Sequence, residues 1–155
     1  MLLSFSSKDP QETKNIGAKI GKLLLPADFL NLNGQLGAGK TLLVKGIGLS
    51  LGIPEEEIVS PTFVLINEYI GLYPLYHFDL YRLEEDYELE QIGYADYFYG
   101  SGITAVEWGD LFAHYLPEDR LDITLNILED EKREIRLKPN GERSGEIVKR
   151  LRGQG

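Results

Sequence analysis

Eight consecutive residues constrain this chain more than any other feature: Gly34-Gln35-Leu36-Gly37-Ala38-Gly39-Lys40-Thr41. They fit the pattern G-x-x-x-x-G-K-[S/T], which chance produces in roughly one chain in 200 of this length. The spacing follows from chemistry. Small residues let successive backbone N–H groups wrap a polyphosphate, and the helix that follows turns its positive end toward the charge. The lysine then reaches the β- and γ-phosphates, while the hydroxyl beside it takes a magnesium ion. The flanks agree with this reading. Phe29-Leu30-Asn31-Leu32-Asn33 is a compact strand running straight into the loop, and Thr41–Leu51 is apolar at helical intervals up to Gly52, a stop signal. A nucleoside-triphosphate site carried by Lys40 and Thr41 is therefore expected.

Elsewhere the chain alternates strand and helix signals. An opening strand, Met1–Ser6, leads to Asp9-Pro10-Gln11-Glu12, where Asp can cap, Pro fits the first helical position and Glu can reach back to the cap. Thr13, Ile16, Ile20, Leu23 and Leu24 follow at helical spacing. Phe63–Ile70 and Leu75–Leu83 predict two strands joined through Gly71–Pro74, and Glu84–Gly93 an acidic helix. Ile103–Val106 is a short apolar strand, with a helix expected near Asp110–Tyr115. Leu121–Leu128 and Arg133–Leu137 predict a second hairpin, and Glu142–Arg152 a basic helix or a frayed end. The expected architecture is α/β: one domain over residues 1–155, a three-layer sandwich with a mostly parallel central sheet and added antiparallel strands. A chain of this length can bury roughly 68–70% of its unfolded surface.

Composition enters through charge and cysteine. The chain has 16 Lys+Arg against 25 Asp+Glu, a net charge of −9, and no cysteine. The missing thiols exclude disulfides and thiolate metal sites, and they fit a reducing, cytoplasmic setting. There is no long apolar run to span a membrane and no signal peptide pattern. The charge is polarised: Glu84–Glu131 holds fourteen acids and one base, Arg120, a local −13, and the remainder is +4. That balance is the wrong sign for gripping nucleic acid. Eight of the nine tyrosines fall between Tyr69 and Tyr99, beside Glu84, Glu85, Asp86, Glu88 and Glu90. Each can be a core residue, yet an aromatic, acid-flanked stretch suits a protein partner better than a base-stacking groove.

A phosphate loop needs an acid at the end of a neighbouring strand. Two are available, Glu107 after Ile103-Thr104-Ala105-Val106 and Asp79 after Tyr76-His77-Phe78. Thr62, in Ser60-Pro61-Thr62-Phe63, stands where a switch threonine can complete a metal shell, or is simply a turn residue entering a strand. No Asn-Lys-x-Asp string reads guanine, which points to ATP.

Taken in order, Leu36–Thr41, Ser60-Pro61-Thr62-Phe63, His77-Phe78-Asp79-Leu80-Tyr81-Arg82 and Glu107-Trp108 resemble the TsaE family. These are small P-loop ATPases of bacterial tRNA threonylcarbamoyladenosine synthesis, and the resemblance runs from about Gln11 to about Leu137. It implies an ATPase with Mg²⁺ that joins TsaB- and TsaD-like proteins, TsaD carrying out the transfer onto the adenosine beside the anticodon of ANN-decoding tRNAs. The tRNA would be met only through that complex. By the same resemblance Leu36, Gly37, Ala38, Gly39, Lys40 and Thr41 would hold the phosphates and Thr41 and Glu107 the Mg²⁺. Asp79 would position or activate water alongside Lys40, Thr62 would act as a switch, and Trp108 would sit beside the nucleotide. Gln11 and Lys132 would approach the base. One departure is Gln35, where the family usually has Asp. Two other readings stay open: a P-loop small-molecule or nucleotide kinase, which usually adds an arginine-bearing lid, and a nucleotide-sensing adaptor.

Overall fold

A run of buried apolar residues places one strand at the centre of the molecule. Phe29, Leu30, Asn31 and Leu32 are all buried in β2 (Phe29–Gly34), so neither face of this strand meets water. A computed structural model describes residues 2–61 and 65–154. Its seven-stranded sheet has the order β1-β7-β6-β2-β5-β4-β3. The other strands are β1 (Leu3–Ser7), β3 (Ile66–Ile70), β4 (Pro74–Asp79), β5 (Ile103–Glu107), β6 (Arg120–Ile127) and β7 (Arg133–Asn140). The four central strands β6, β2, β5 and β4 are parallel, and the pairs β1–β7, β6–β7 and β3–β4 are antiparallel. The expected mostly parallel sheet with added antiparallel strands is what forms.

The period of two along each strand sorts side chains into two cores, one on each side of the sheet. On one side Leu30, Leu32, Ile103 and Ala105 meet three helices, α1 (Pro10–Gly21), α2 (Lys40–Ser50) and α5 (Glu142–Gly153). On the other side Phe29, Phe78 and Val106 meet α3 (Asp86–Gln91), α4 (Tyr94–Phe98) and a 3-10 segment at Gly109–Tyr115. The result is three layers. In the second core Phe98 sits edge-on to Phe29, Phe78 and Tyr94, and Tyr97 edge-on to Tyr76 and Phe78. Much of the tyrosine-rich stretch is thus core; Tyr81, Tyr87 and Tyr99 are the exposed exceptions.

Several boundaries differ from the sequence reading. The first strand is Leu3–Ser7 rather than Met1–Ser6. Asp9 caps α1 through the Glu12 amide at 2.8 Å, but Glu12 reaches back to the Lys8 amide, one residue before the cap. The strand expected over Leu75–Leu83 stops at Asp79, because Leu80 and Leu83 turn into the second core. The described part of its partner begins at Ile66, and Phe63 lies outside the described residues. The tail is an ordered helix. Asp119 accepts the Arg143 and Ser144 amides at the start of α5, and Arg143 pairs with buried Asp28 at 2.9 Å. The helix Tyr94–Phe98 was not expected; it follows Gly93 in the αL conformation and is a five-residue aromatic-rich segment too short to show a helical period.

α1 and α2 cross at very short range. A Cβ on Gly46 would collide with the Lys14 carbonyl oxygen, and one on Gly17 with the Leu43 carbonyl oxygen. This close crossing sets α2 against the sheet, and α2 begins at the glycine-rich loop.

Candidate nucleotide site

The site stands at the carboxyl ends of the parallel strands, the place where open α/β sheets bind ligands. β2 ends in Gly34 and the loop swings up into α2. Gly37 (φ +82°) and Gly39 (φ +104°) occupy conformations that side chains resist, and between them the Ala38 amide closes a turn on the Gln35 carbonyl at 3.0 Å. Gly39 is the residue before α2 and offers no side-chain cap, so the helix start keeps its amides for an anion. Ala38 is buried under the loop, and Leu36 stands out from its tip, 89% exposed. Thr41 is half-buried on the first turn of α2.

Lys40 is only 5% exposed. Its Nζ donates to the Gly34 carbonyl at 2.6 Å and lies 4.1 Å from the centre of the Trp108 ring. Burial pushes this ammonium below its ordinary pKa, against the opposing attraction of Glu107 and Asp79. The two acids sit side by side because β4 and β5 are parallel and pair Asp79 with Glu107. Burial holds the Asp79 carboxyl above the usual carboxylate range, and neighbouring Glu107 adds to this. The Tyr81 amide, which Asp79 accepts at 3.1 Å, works in the other direction, as do His77 and Lys40. A cavity of about 320 Å³ is lined by Leu36, Lys40, Ser60, Asp79, Tyr81, Arg82, Glu107 and Trp108. A second, of about 310 Å³, lies toward Gln35, Asp110 and Leu111, with Lys40 and Trp108 shared between the two.

Trp108 takes its place by force. It is a non-glycine residue at φ 64°, ψ 26°, a conformation costing of order 1–3 kcal/mol. The segment after it is tied down by Asn31, whose Nδ2 donates to Asp110 at 3.0 Å and Asp122 at 2.9 Å. Its ring also lies 4.9 Å from that of Tyr81.

Lys40, Asp79, Glu107 and Trp108 are thus brought into one cavity, with Thr41 one residue along the helix. Gln11 and Lys132 are not among the residues lining either cavity. Gln11 lies on the first turn of α1 and bonds Asn15; Lys132 pairs with Glu129 in the β6–β7 turn. Thr62 lies outside the described residues. Arg120, the one base of the acidic stretch, is bound to Asp122 at the opposite end of the sheet, so it supplies no lid. Two groups escaped the sequence reading. His77 is fully buried with Nε2 2.6 Å from Glu107 Oε2, and the tautomer with its proton on Nε2 donates to that carboxylate. The signal was available, since residues 77 and 79 share one face of a strand. Arg133 donates to Ala38 and Gly37 from the far hairpin, and no local pattern announces that.

The arrangement suits a polyphosphate with a hard cation: an ammonium, a loop of amides, a hydroxyl and two carboxylates. Among the described residues no group of three or more His, Cys, Asp or Glu is placed to hold a metal unaided.

Comparison with known proteins gives a consistent result. Residues 7–135 match the sequence profile of the family "Threonylcarbamoyl adenosine biosynthesis protein TsaE". The tRNA threonylcarbamoyladenosine biosynthesis protein TsaE of Bacillus subtilis is 42% identical over 142 residues, covering 91% of this chain and 88% of that protein. The Treponema pallidum TsaE is 44% identical over 129 residues, covering 83% and 95%. The crystal structure of YdiB from Bacillus subtilis superposes with a TM-score of 0.83 at 35% identity, over 99% of this chain and 96% of that one.

Proposed function

This chain belongs to the TsaE family, and on that premise we propose that it is an ATP-hydrolysing subunit of tRNA threonylcarbamoyladenosine biosynthesis, acting on TsaB- and TsaD-like partners. The observation that carries the ATPase reading is the convergence of Lys40, Asp79, Glu107 and Trp108 on one cavity at the mouth of the glycine loop. ATP would bind with its phosphates in the loop, where Lys40 would exchange the Gly34 carbonyl for phosphate oxygens. Thr41 and Glu107 would hold Mg²⁺, which when bound neutralises charge on the phosphate oxygens. Glu107 is held for this by the His77 hydrogen bond. Asp79 would orient the attacking water and accept its proton as the γ-phosphoryl group leaves ADP, and its raised pKa brings it nearer the range of a useful base. Trp108 and Tyr81 would wall the site.

The partner reading is supported by the exposed Tyr81, Tyr87 and Tyr99 beside the acidic stretch, a surface for protein rather than for a phosphate backbone. ATP turnover with TsaB- and TsaD-like proteins present tests the assignment. Lys40→Ala should lower it by about 10²–10³-fold, the range for loss of a charge-stabilising group, with the fold retained by circular dichroism. Wild-type turnover in Lys40→Ala would refute the assignment.

A further inference from the structure

We propose that Arg133 is a positioning residue that braces the phosphate loop from behind. A loop whose amides converge on an anion turns its carbonyls outward, and those carbonyls need donors of their own. Arg133 supplies them: Nε donates to the Ala38 carbonyl at 3.1 Å and a terminal nitrogen to the Gly37 carbonyl at 3.3 Å. Its other terminal nitrogen grips the β6–β7 turn through the carbonyls of Asp130 and Lys132, each at 2.9 Å. All four acceptors are main-chain carbonyls, and among the described residues no carboxylate pairs with Arg133. The planar guanidinium therefore acts as a rigid strut between the loop and an anchored hairpin. It holds Gly37 and Ala38, the two residues before Gly39 at the start of α2.

The inference takes its ligand from the ATPase reading, so the test separates the two. ATP and ADP are titrated with Mg²⁺ into wild type, Arg133→Met and Arg133→Lys. Binding is followed by fluorescence of Trp108, the one tryptophan in the chain, and by calorimetry. Amide exchange over Ala38–Thr41 is measured without nucleotide. Losing two hydrogen bonds of about 1 kcal/mol each should weaken both nucleotides about thirtyfold in Arg133→Met. Arg133→Lys keeps the charge but lacks the fork, and should weaken them about fivefold. Turnover at saturating ATP should stay within about twofold, because a brace acts on ground and transition states alike. A role confined to the hairpin would lower melting temperature and leave affinity untouched.

Wild-type affinity in Arg133→Met overturns the brace while leaving the ATPase reading intact. If Arg133→Met does not fold, wild-type affinity in Arg133→Lys overturns it instead. If wild type binds neither nucleotide, the ATPase reading fails. The brace then stands or falls on whether the substitutions speed exchange of the loop amides.

Discussion

At the scale of single residues the site carries charges that cost stability. Asp79 and Lys40 are both shifted toward their neutral forms, Asp79 upward and Lys40 downward, each chiefly by burial. A carboxyl whose folded pKa is raised binds its proton more tightly folded than unfolded. Its cost therefore develops as pH rises from the ordinary carboxylate value through the folded value, and is fully present above that. Asp79→Asn should accordingly melt higher than wild type at neutral pH, with the advantage vanishing in acid where Asp79 is already protonated. The same variant should lose about 10²–10⁴-fold in partner-stimulated turnover, the usual worth of a general base. A lower melting temperature than wild type at neutral pH would contradict the burial argument. Lys40, Asp79, Glu107 and Trp108 were all legible in the sequence because each belongs to a short motif or ends a strand. Arg133 was not, because its acceptors in the loop, the Gly37 and Ala38 carbonyls, lie 96 and 95 positions away along the chain.

At the scale of elements, what counts is how closely two backbones approach. α1 and α2 cross with Gly17 and Gly46 at the contact, where added carbons would strike main-chain oxygens rather than side chains that could move aside. Gly46→Ala should destabilise the protein by roughly 1–3 kcal/mol, read as a lower urea midpoint at unchanged slope. An unchanged midpoint would mean that the helices can separate at little cost. Helical periodicity revealed both helices but not this crossing, since a glycine on a buried face reads only as a weak helix former. The strand after Leu75 shows the opposite failure. Its apolar pattern continues past Asp79, yet Leu80 and Leu83 serve the second core from a turn. Burial is common to both conformations, so pattern alone did not mark the end.

Over the whole molecule the charge of −9 becomes a statement about division of labour. The acidic stretch includes α3 and the exposed Glu84 and Glu85, and Tyr87 and Tyr99 within it are exposed as well. The isolated protein should show no tight binding to tRNA at physiological salt in a filter or mobility-shift assay. Submicromolar affinity there would overturn the view that partners hold the RNA. Among the described residues no helix is long and apolar enough to cross a membrane. The sequence by itself determined the glycine-rich loop between strand and helix, the strand–helix alternation and the two acids at strand ends, because each is set by local spacing and backbone preference. Only the tertiary structure decided that Asp79 and Glu107 stand side by side, that His77 holds Glu107, that Trp108 covers Lys40 and that Arg133 reaches the loop. Those contacts join residues distant in the chain. They exist because parallel strand register and helix packing bring them together, and no local pattern encodes a register.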